Sequence, residues 1–317
     1  MQIVINKAGF KIQFSNIVAM NSYLKPFFYI LILFVFSSCQ GKIDRLEHKQ
    51  MDRSTQELSL LTLDQQDGII HKGIFSPDLR SFYYTLSDSN YTRFEVFEMS
   101  RKGGTWSKAR KAFFNTEHSE HGMSFSADGE TLYFSSTRPT RQADVPDTWH
   151  LWMSKKVHGI WTEAVWIDIP NLRDKLLSHP TLTSSGKMYF HASKLDYSEM
   201  DLYVSEFREG KFLPAYKVLL PKAEEMAKCT PFVAADESYL LFARIGEALD
   251  LMVTYKQADG SWSAPKLLPD SINQNGQGNP FVTPDHQYLI YTSLDKNKDE
   301  WGLKLSELDD LLHTAKK

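Results

Sequence analysis

The chain has 317 residues, 42% of them hydrophobic and 24% charged, with a formal net charge of −3. That balance excludes an extended disordered chain and argues against a nucleic-acid footprint. Two cysteines exclude a disulfide scaffold, and an aromatic content of 13% leans towards β-structure.

Residues 1–38 contain no Asp or Glu, and Phe27 to Phe36 form an unbroken apolar run. The run is too short to cross about 30 Å of hydrocarbon as a helix, but it suits the apolar centre of a signal peptide. Lys25 supplies the preceding positive charge, and Phe36-Ser37-Ser38-Cys39 follows directly. This segment resembles a bacterial lipobox, which implies cleavage before Cys39 and lipidation of its thiol. Met20 lies at a normal signal length from Cys39 and is the expected true start. Gln40, rather than Asp, follows Cys39, which within that resemblance favours the outer membrane. Loss of Lys7, Lys11 and Lys25 would make the mature charge −6. Residues 39–55 are polar and aperiodic, as expected of a flexible tether, and residues 56–317 read as one domain.

That domain repeats. Ser76-Pro-Asp78, Ser126-Ala-Asp128-Gly129, Thr183-Ser-Ser185-Gly186, Ala234-Ala-Asp236 and Thr283-Pro-Asp285 are spaced by 50, 57, 51 and 49 residues. Each precedes an aromatic-aliphatic run, namely Phe82-Tyr-Tyr84, Leu132-Tyr-Phe134, Met188-Tyr-Phe190, Leu240-Leu-Phe242 and Leu289-Ile-Tyr291. Four units add a Gly-x-aromatic turn at Trp106, Trp161, Phe212 and Trp262. Pro presets φ, Asp caps the turn and Gly takes positive φ, so each unit reads as four short antiparallel strands, a to d. A period near 50 with four strands predicts an all-β β-propeller of five four-stranded blades, with six possible. Glu57–Asp64 is the expected closing strand. Residues 306–316 are expected to form a short C-terminal helix, with Ser306 as cap, Asp309 completing the box and Leu308, Leu311 and Leu312 as its stripe.

The Phe-Ser-Pro-Asp pattern and Phe125-Ser-Ala-Asp-Gly-x-x-Leu-Tyr-Phe-Ser-Ser136 resemble the WD40-like PD40 repeat of TolB-type propellers. The resemblance covers roughly residues 57–305. Leu79, Glu237 and His286 replace the turn Gly, and Ser185 replaces the Asp. The resemblance implies a periplasmic or surface binding protein and no fixed catalytic set.

Antiparallel order puts the b–c and d–a connections on one face, and variable chemistry is expected there. His71, His121 and His179 stand four or five residues before the turn of their strands. If they converge on the axis, they form a candidate divalent-metal site, loosely resembling the histidine-lined channel of oligogalacturonate-lyase-type propellers. The longest b–c connection, Thr137 to Trp149, carries Arg138, Arg141 and Trp149, with His150 next. Arg forks and indole rings suit an acidic or sugar ligand, and Lys194 and Arg244 extend the same candidate rim. Asp295-x-Asn297-x-Asp299 begins like a calcium loop but lacks its Gly and its terminal Glu. Cys229 reads as a buried apolar residue. No nucleophile elbow, zinc-protease motif, phosphate loop or dinucleotide fingerprint is present. The leading expectation is a lipid-anchored, non-enzymatic binding propeller for an envelope protein or glycan, without a cofactor. The alternative is a secreted metal-assisted polysaccharide lyase or hydrolase that uses the histidines.

Overall fold

Short unbroken apolar runs between Gly- and Asp-rich turns leave each segment one stable option, which is to pair as short strands and bury both faces between neighbouring sheets. The computed structural model describes residues 4–6, 9–11, 68–295, 300–308 and 311–312. The expected Cys39 anchor, the tether, the closing strand 57–64 and residues 296–299 of the calcium-like loop lie outside the described residues. The chain divides into two compact units, Met1–Arg53 and Ser54–Lys317. In the first, β1 (Val4–Asn6) pairs antiparallel with β2 (Gly9–Lys11).

The second unit is a ring of five blades. Blade 1 holds β3 (Ile69–Phe75), β4 (Ser81–Ser87), β5 (Phe94–Lys102), β6 (Thr105–Trp106) and β7 (Arg110–Lys111). Blade 2 holds β8 (Glu120–Phe125), β9 (Thr131–Ser136), β10 (His150–Val157), β11 (Ile160–Trp161) and β12 (Val165–Trp166). Blade 3 holds β13 (Leu176–Leu182), β14 (Lys187–Ser193), β15 (Asp201–Arg208), β16 (Lys211–Phe212) and β17 (Tyr216–Lys217). Blade 4 holds β18 (Ala227–Val233), β19 (Tyr239–Ile245), β20 (Leu249–Tyr255) and β21 (Lys266–Leu267). Blade 5 holds β22 (Gln277–Val282), β23 (Tyr288–Asp295) and β24 (Glu300–Glu307). The outermost strand d is split in blades 1 to 3, where two short pieces pair with the same strand c. In blade 4 its first piece is the single bridge Lys256 to Trp262.

The innermost strands β3, β8, β13, β18 and β22 lie against one another in sequence, and β22 and β24 return to β3. Gly73 permits that last approach, because a Cβ there would stand 2.8 Å from Phe82 and 2.9 Å from Leu303 of β24. The core is divided among the blade interfaces. Ile74, Tyr83 and Val96 of blade 1 meet Met123, Leu132, Phe134 and Trp152 of blade 2. Tyr189, Leu202 and Val204 of blade 3 meet Leu240, Phe242 and Trp262 of blade 4. Each such side chain contributes about 1.5–3 kcal/mol on full burial, so every blade depends on both neighbours.

The turns keep their shape where the sequence departs from the pattern. Leu79, Glu237 and His286 adopt φ of 54°, 58° and 58°, beside Gly129 at 70° and Gly186 at 84°. At Glu237 the side chain offsets the steric cost of left-handed backbone by accepting hydrogen bonds from Lys187 and Tyr189 of the preceding blade. Of the expected C-terminal helix, Asp309, Asp310 and residues 313–316 lie outside the described residues. Ser306 is still in β24, paired with Leu289, and the helical positions are Leu308, Leu311 and Leu312. Sheet pairing takes Ser306 because all of β23 is available to it. Leu308 and Leu311 then bury themselves against blades 4 and 5, and the Tyr255 hydroxyl bonds the Leu312 carbonyl.

Candidate functional site

Strand a of every blade carries a register shift, between Ile70 and Gly73, His121 and Ser124, Ser178 and Thr181, Cys229 and Phe232, and Gly278 and Phe281. In four blades the bulged residue is left-handed, namely Gly122, His179, Thr230 and Asn279, and Lys72 takes the equivalent place in blade 1. A bulge throws one backbone N–H out of its own ladder, and a buried N–H needs another acceptor. The neighbouring blade supplies it. His179 N–H donates to Ser135 Oγ at 2.9 Å, and Thr230 N–H donates to His191 Nδ1 at 3.2 Å. Ser135 and His191 hold the same position of strand b, where blade 4 has Ala243. Alanine accepts nothing, so Asn279 N–H turns to Thr230 Oγ1 at 3.4 Å. Gly122 is required at its bulge, since a Cβ there would meet His179 Cα at 3.1 Å.

This waist gathers three imidazoles, His121, His179 and His191. The rings of His121 and His179 lie 4.6 Å apart, and those of His179 and His191 lie 5.1 Å apart. His121 Nε2 and His179 Nδ1 both bond Ser178 Oγ, at 2.7 and 3.1 Å, and Ser178 donates to Ser135. Burial lowers the pKa of all three. His191 falls to about 3, by burial first and then by the charge of Lys72, and His121 and His179 lie well below the usual imidazole range. With Nδ1 of His191 accepting a hydrogen bond, its proton rests on Nε2. His71 stands apart. Phe94 lies between it and His121, with ring distances of 5.1 and 5.3 Å, and His71 Nε2 bonds Ser87 Oγ at 2.9 Å. Its pKa is lowered to about 4 by burial. The expected metal set His71, His121 and His179 therefore does not converge, and among the described residues no three His, Cys, Asp or Glu side chains are grouped to hold a metal ion.

The expected ligand rim is dispersed. Arg138 is drawn inward to the fully buried Glu120 at 2.9 Å, bonds Ser136 and the Phe114 carbonyl, and stacks over Phe134 and Trp152. Trp149 is buried against His121, with rings 4.0 Å apart, and His150 bonds the Pro146 carbonyl at 2.8 Å. Lys194 pairs with Glu199 and Arg244 with Asp250. Arg141 is exposed, with a left-handed backbone. Cys229 is buried, and burial pushes its thiol up to about 12.

Three concave sites stand out among the described residues, one of them a polar hollow of about 460 Å³ between the blade 1 and blade 2 turns, lined by Asp78, Glu98, Asp128 and Lys156. On the b–c face, a groove of about 740 Å³ runs along blade 2 between Phe113, Glu117, Arg141, Trp152, Val165 and Trp166. The buried Trp152 Nε1 has no hydrogen-bond partner. On the opposite face a cavity of about 200 Å³ follows the axis down to Lys72. Sequence reading missed Lys72 and His191. The available signal was a charged residue inside an otherwise apolar inner strand, and an imidazole where other blades carry Thr, Ser or Ala.

No family model matches the chain, and no curated protein matches it. Solved structures do. A GH43 endo-arabinanase from Bacillus licheniformis is 14% identical, with a TM-score of 0.50 over 77% of this chain and 95% of that one. TolB from Acinetobacter baumannii is 12% identical, with a TM-score of 0.47 over 76% of this chain and 52% of that one, so the chain spans about half the TolB length. An oligogalacturonate lyase from Vibrio parahaemolyticus is 12% identical, with a TM-score of 0.41 over 78% and 80%. The protein is a β-propeller. At these identities the likeness is one of fold.

Proposed function

We propose that this chain is a lipid-anchored bacterial envelope protein whose propeller binds a glycan without transforming it, in the blade 2 groove. The lipobox-like Phe36-Ser37-Ser38-Cys39 and the polar tether support the anchor. The observation that carries the binding site is the open groove of about 740 Å³ lined by Phe113, Trp152 and Trp166, with the exposed Arg141 beside them. Flat aromatic walls accept the apolar face of a sugar ring, and Arg141 offers donors to its hydroxyls or carboxylate. The waist histidines are held to one another and to Ser135 and Ser178, and they support the fold of the channel rather than a reaction.

The test titrates the full chain with neutral and uronic-acid oligosaccharides, reading tryptophan fluorescence and product formation together. Saturable binding without new chain ends is expected. Arg141→Ala removes the donor, so it should weaken binding by at least about 10-fold, the worth of one charge-assisted hydrogen bond. Arg141 is exposed, so the melting temperature of that variant should not change. Cleavage of any sugar in the panel, or no sugar binding at all, overturns the proposal.

A further inference from the structure

Two lysines in the propeller are almost fully buried, and their surroundings differ. Lys228 is 2% exposed and satisfied on every side, by Asp201 at 3.0 Å and by the carbonyls of Ala223 and Met226 at 2.8 and 2.6 Å. Lys72 is also 2% exposed, yet among the described residues it has no hydrogen-bond or ion-pair partner. A buried ammonium without a partner is costly, and proteins seldom keep one by accident.

Lys72 lines the axial cavity on the face of the a–b turns. Every blade gives the same turn position to the rim: Pro77, Ala127, Ser184, Ala235 and Pro284. Lys72 lies four positions deeper along β3 than Ser76, and Phe125, Phe232 and Phe281 wall the space between. Among the described residues, no Asp or Glu lines the cavity. The other titratable groups around Lys72 are the waist imidazoles of His121, His179 and His191, with His286 at the rim. None of them is an anion. Burial lowers the Lys72 pKa to about 7, as expected where no carboxylate offsets the loss of water.

We propose that this cavity binds a small monocarboxylate with an apolar body, its carboxylate paired with Lys72 Nζ and its body against Phe125, Phe232 and Phe281. A volume of about 200 Å³ is below the roughly 300–1,000 Å³ of drug-sized sites, which limits the ligand to a few heavy atoms. One ammonium within apolar walls suits a singly charged, amphiphilic anion. Inorganic phosphate would arrive with more charge than the site can pair and with no apolar part to bury. The inference is independent of the blade 2 groove, which opens on the other face.

The test is calorimetric titration of the full chain with hexanoate, hexan-1-ol and inorganic phosphate, at about pH 6 and again at about pH 8.5. At the lower pH hexanoate should bind one per chain, at least about tenfold tighter than hexanol or phosphate. It should weaken by at least about tenfold at the higher pH, as the ammonium loses its proton. Lys72→Met, of similar length and without charge, should bind hexanoate no better than hexanol, and Arg141→Ala, in the blade 2 groove, should bind hexanoate as the parent does. Three results overturn the proposal: undetectable hexanoate binding, equal hexanoate affinity in the parent and Lys72→Met, or phosphate bound more tightly than hexanoate. The melting temperature of Lys72→Met, expected to equal or exceed that of the parent, confirms that any loss of binding is not a loss of fold.

Discussion

Acid should unfold this propeller well before its carboxylates are neutralised, and the histidines of the channel set the size of the effect. The unfolded chain titrates its imidazoles at about 6.5. In the folded protein burial holds His71 at about 4 and His191 at about 3, and His121 and His179 also stay neutral far below 6.5. Between the folded values and 6.5 the unfolded state binds protons that the native state refuses, so stability falls as pH drops through that window. At about pH 5 each group is displaced by about one and a half pH units, worth about 2 kcal/mol. His71 and His191 together then remove about 4 kcal/mol, and His121 and His179 act in the same direction. Set against a native stability of about 5–15 kcal/mol, this is a large share. The mechanism is visible at His191, whose Nδ1 must stay unprotonated to accept the Thr230 N–H. The assay is urea unfolding followed by tryptophan fluorescence, in steps from about pH 7.5 to about pH 5. His71→Gln, which keeps a partner for Ser87, should show a shallower dependence. A midpoint that does not move across the range, or a His71→Gln profile that overlays the parent, would refute the reasoning.

Two further outcomes follow from other parts of the molecule. Arg138→Ala strands the buried Glu120 without its cation and should cost about 3–5 kcal/mol in chemical denaturation, whereas truncating the exposed Lys194 should cost no more than about 1 kcal/mol. Cys39→Ser should release the protein from the membrane fraction of a bacterial lysate, and retention of the variant there would remove the lipid anchor from the proposal.

Much of the architecture is local and therefore readable. The aromatic runs at Phe82, Leu132, Met188, Leu240 and Leu289 fall within β4, β9, β14, β19 and β23, because a short unbroken apolar run between turns is written into consecutive residues and is buried on both faces. The long connection expected from Thr137 to Trp149 lies between the end of β9 at Ser136 and the start of β10 at His150. Even the turns without glycine keep their left-handed residue, since the strands on either side demand the same reversal.

The channel was harder to read, for a specific reason. Counting residues back from each turn assumes straight strands, yet every strand a contains a bulge, and one inserted residue changes which side chain faces the axis. His179 sits on its bulge while His71 and His121 precede theirs, so the apparent set of three is out of register and His191, from a different strand, takes the third place. Arg138 was legible as a charge on a long loop but not as the partner of Glu120, because that pairing depends on where two connections meet. Sequence alone determined the repeat, the strand order, the insertion in blade 2 and the lipobox-like start, all of which are properties of neighbours along the chain. Tertiary structure decided which polar groups lose water and what they find there. Lys72 and Lys228 look alike in sequence, and only the packing of blade on blade leaves one paired with Asp201 and the other facing an apolar cavity.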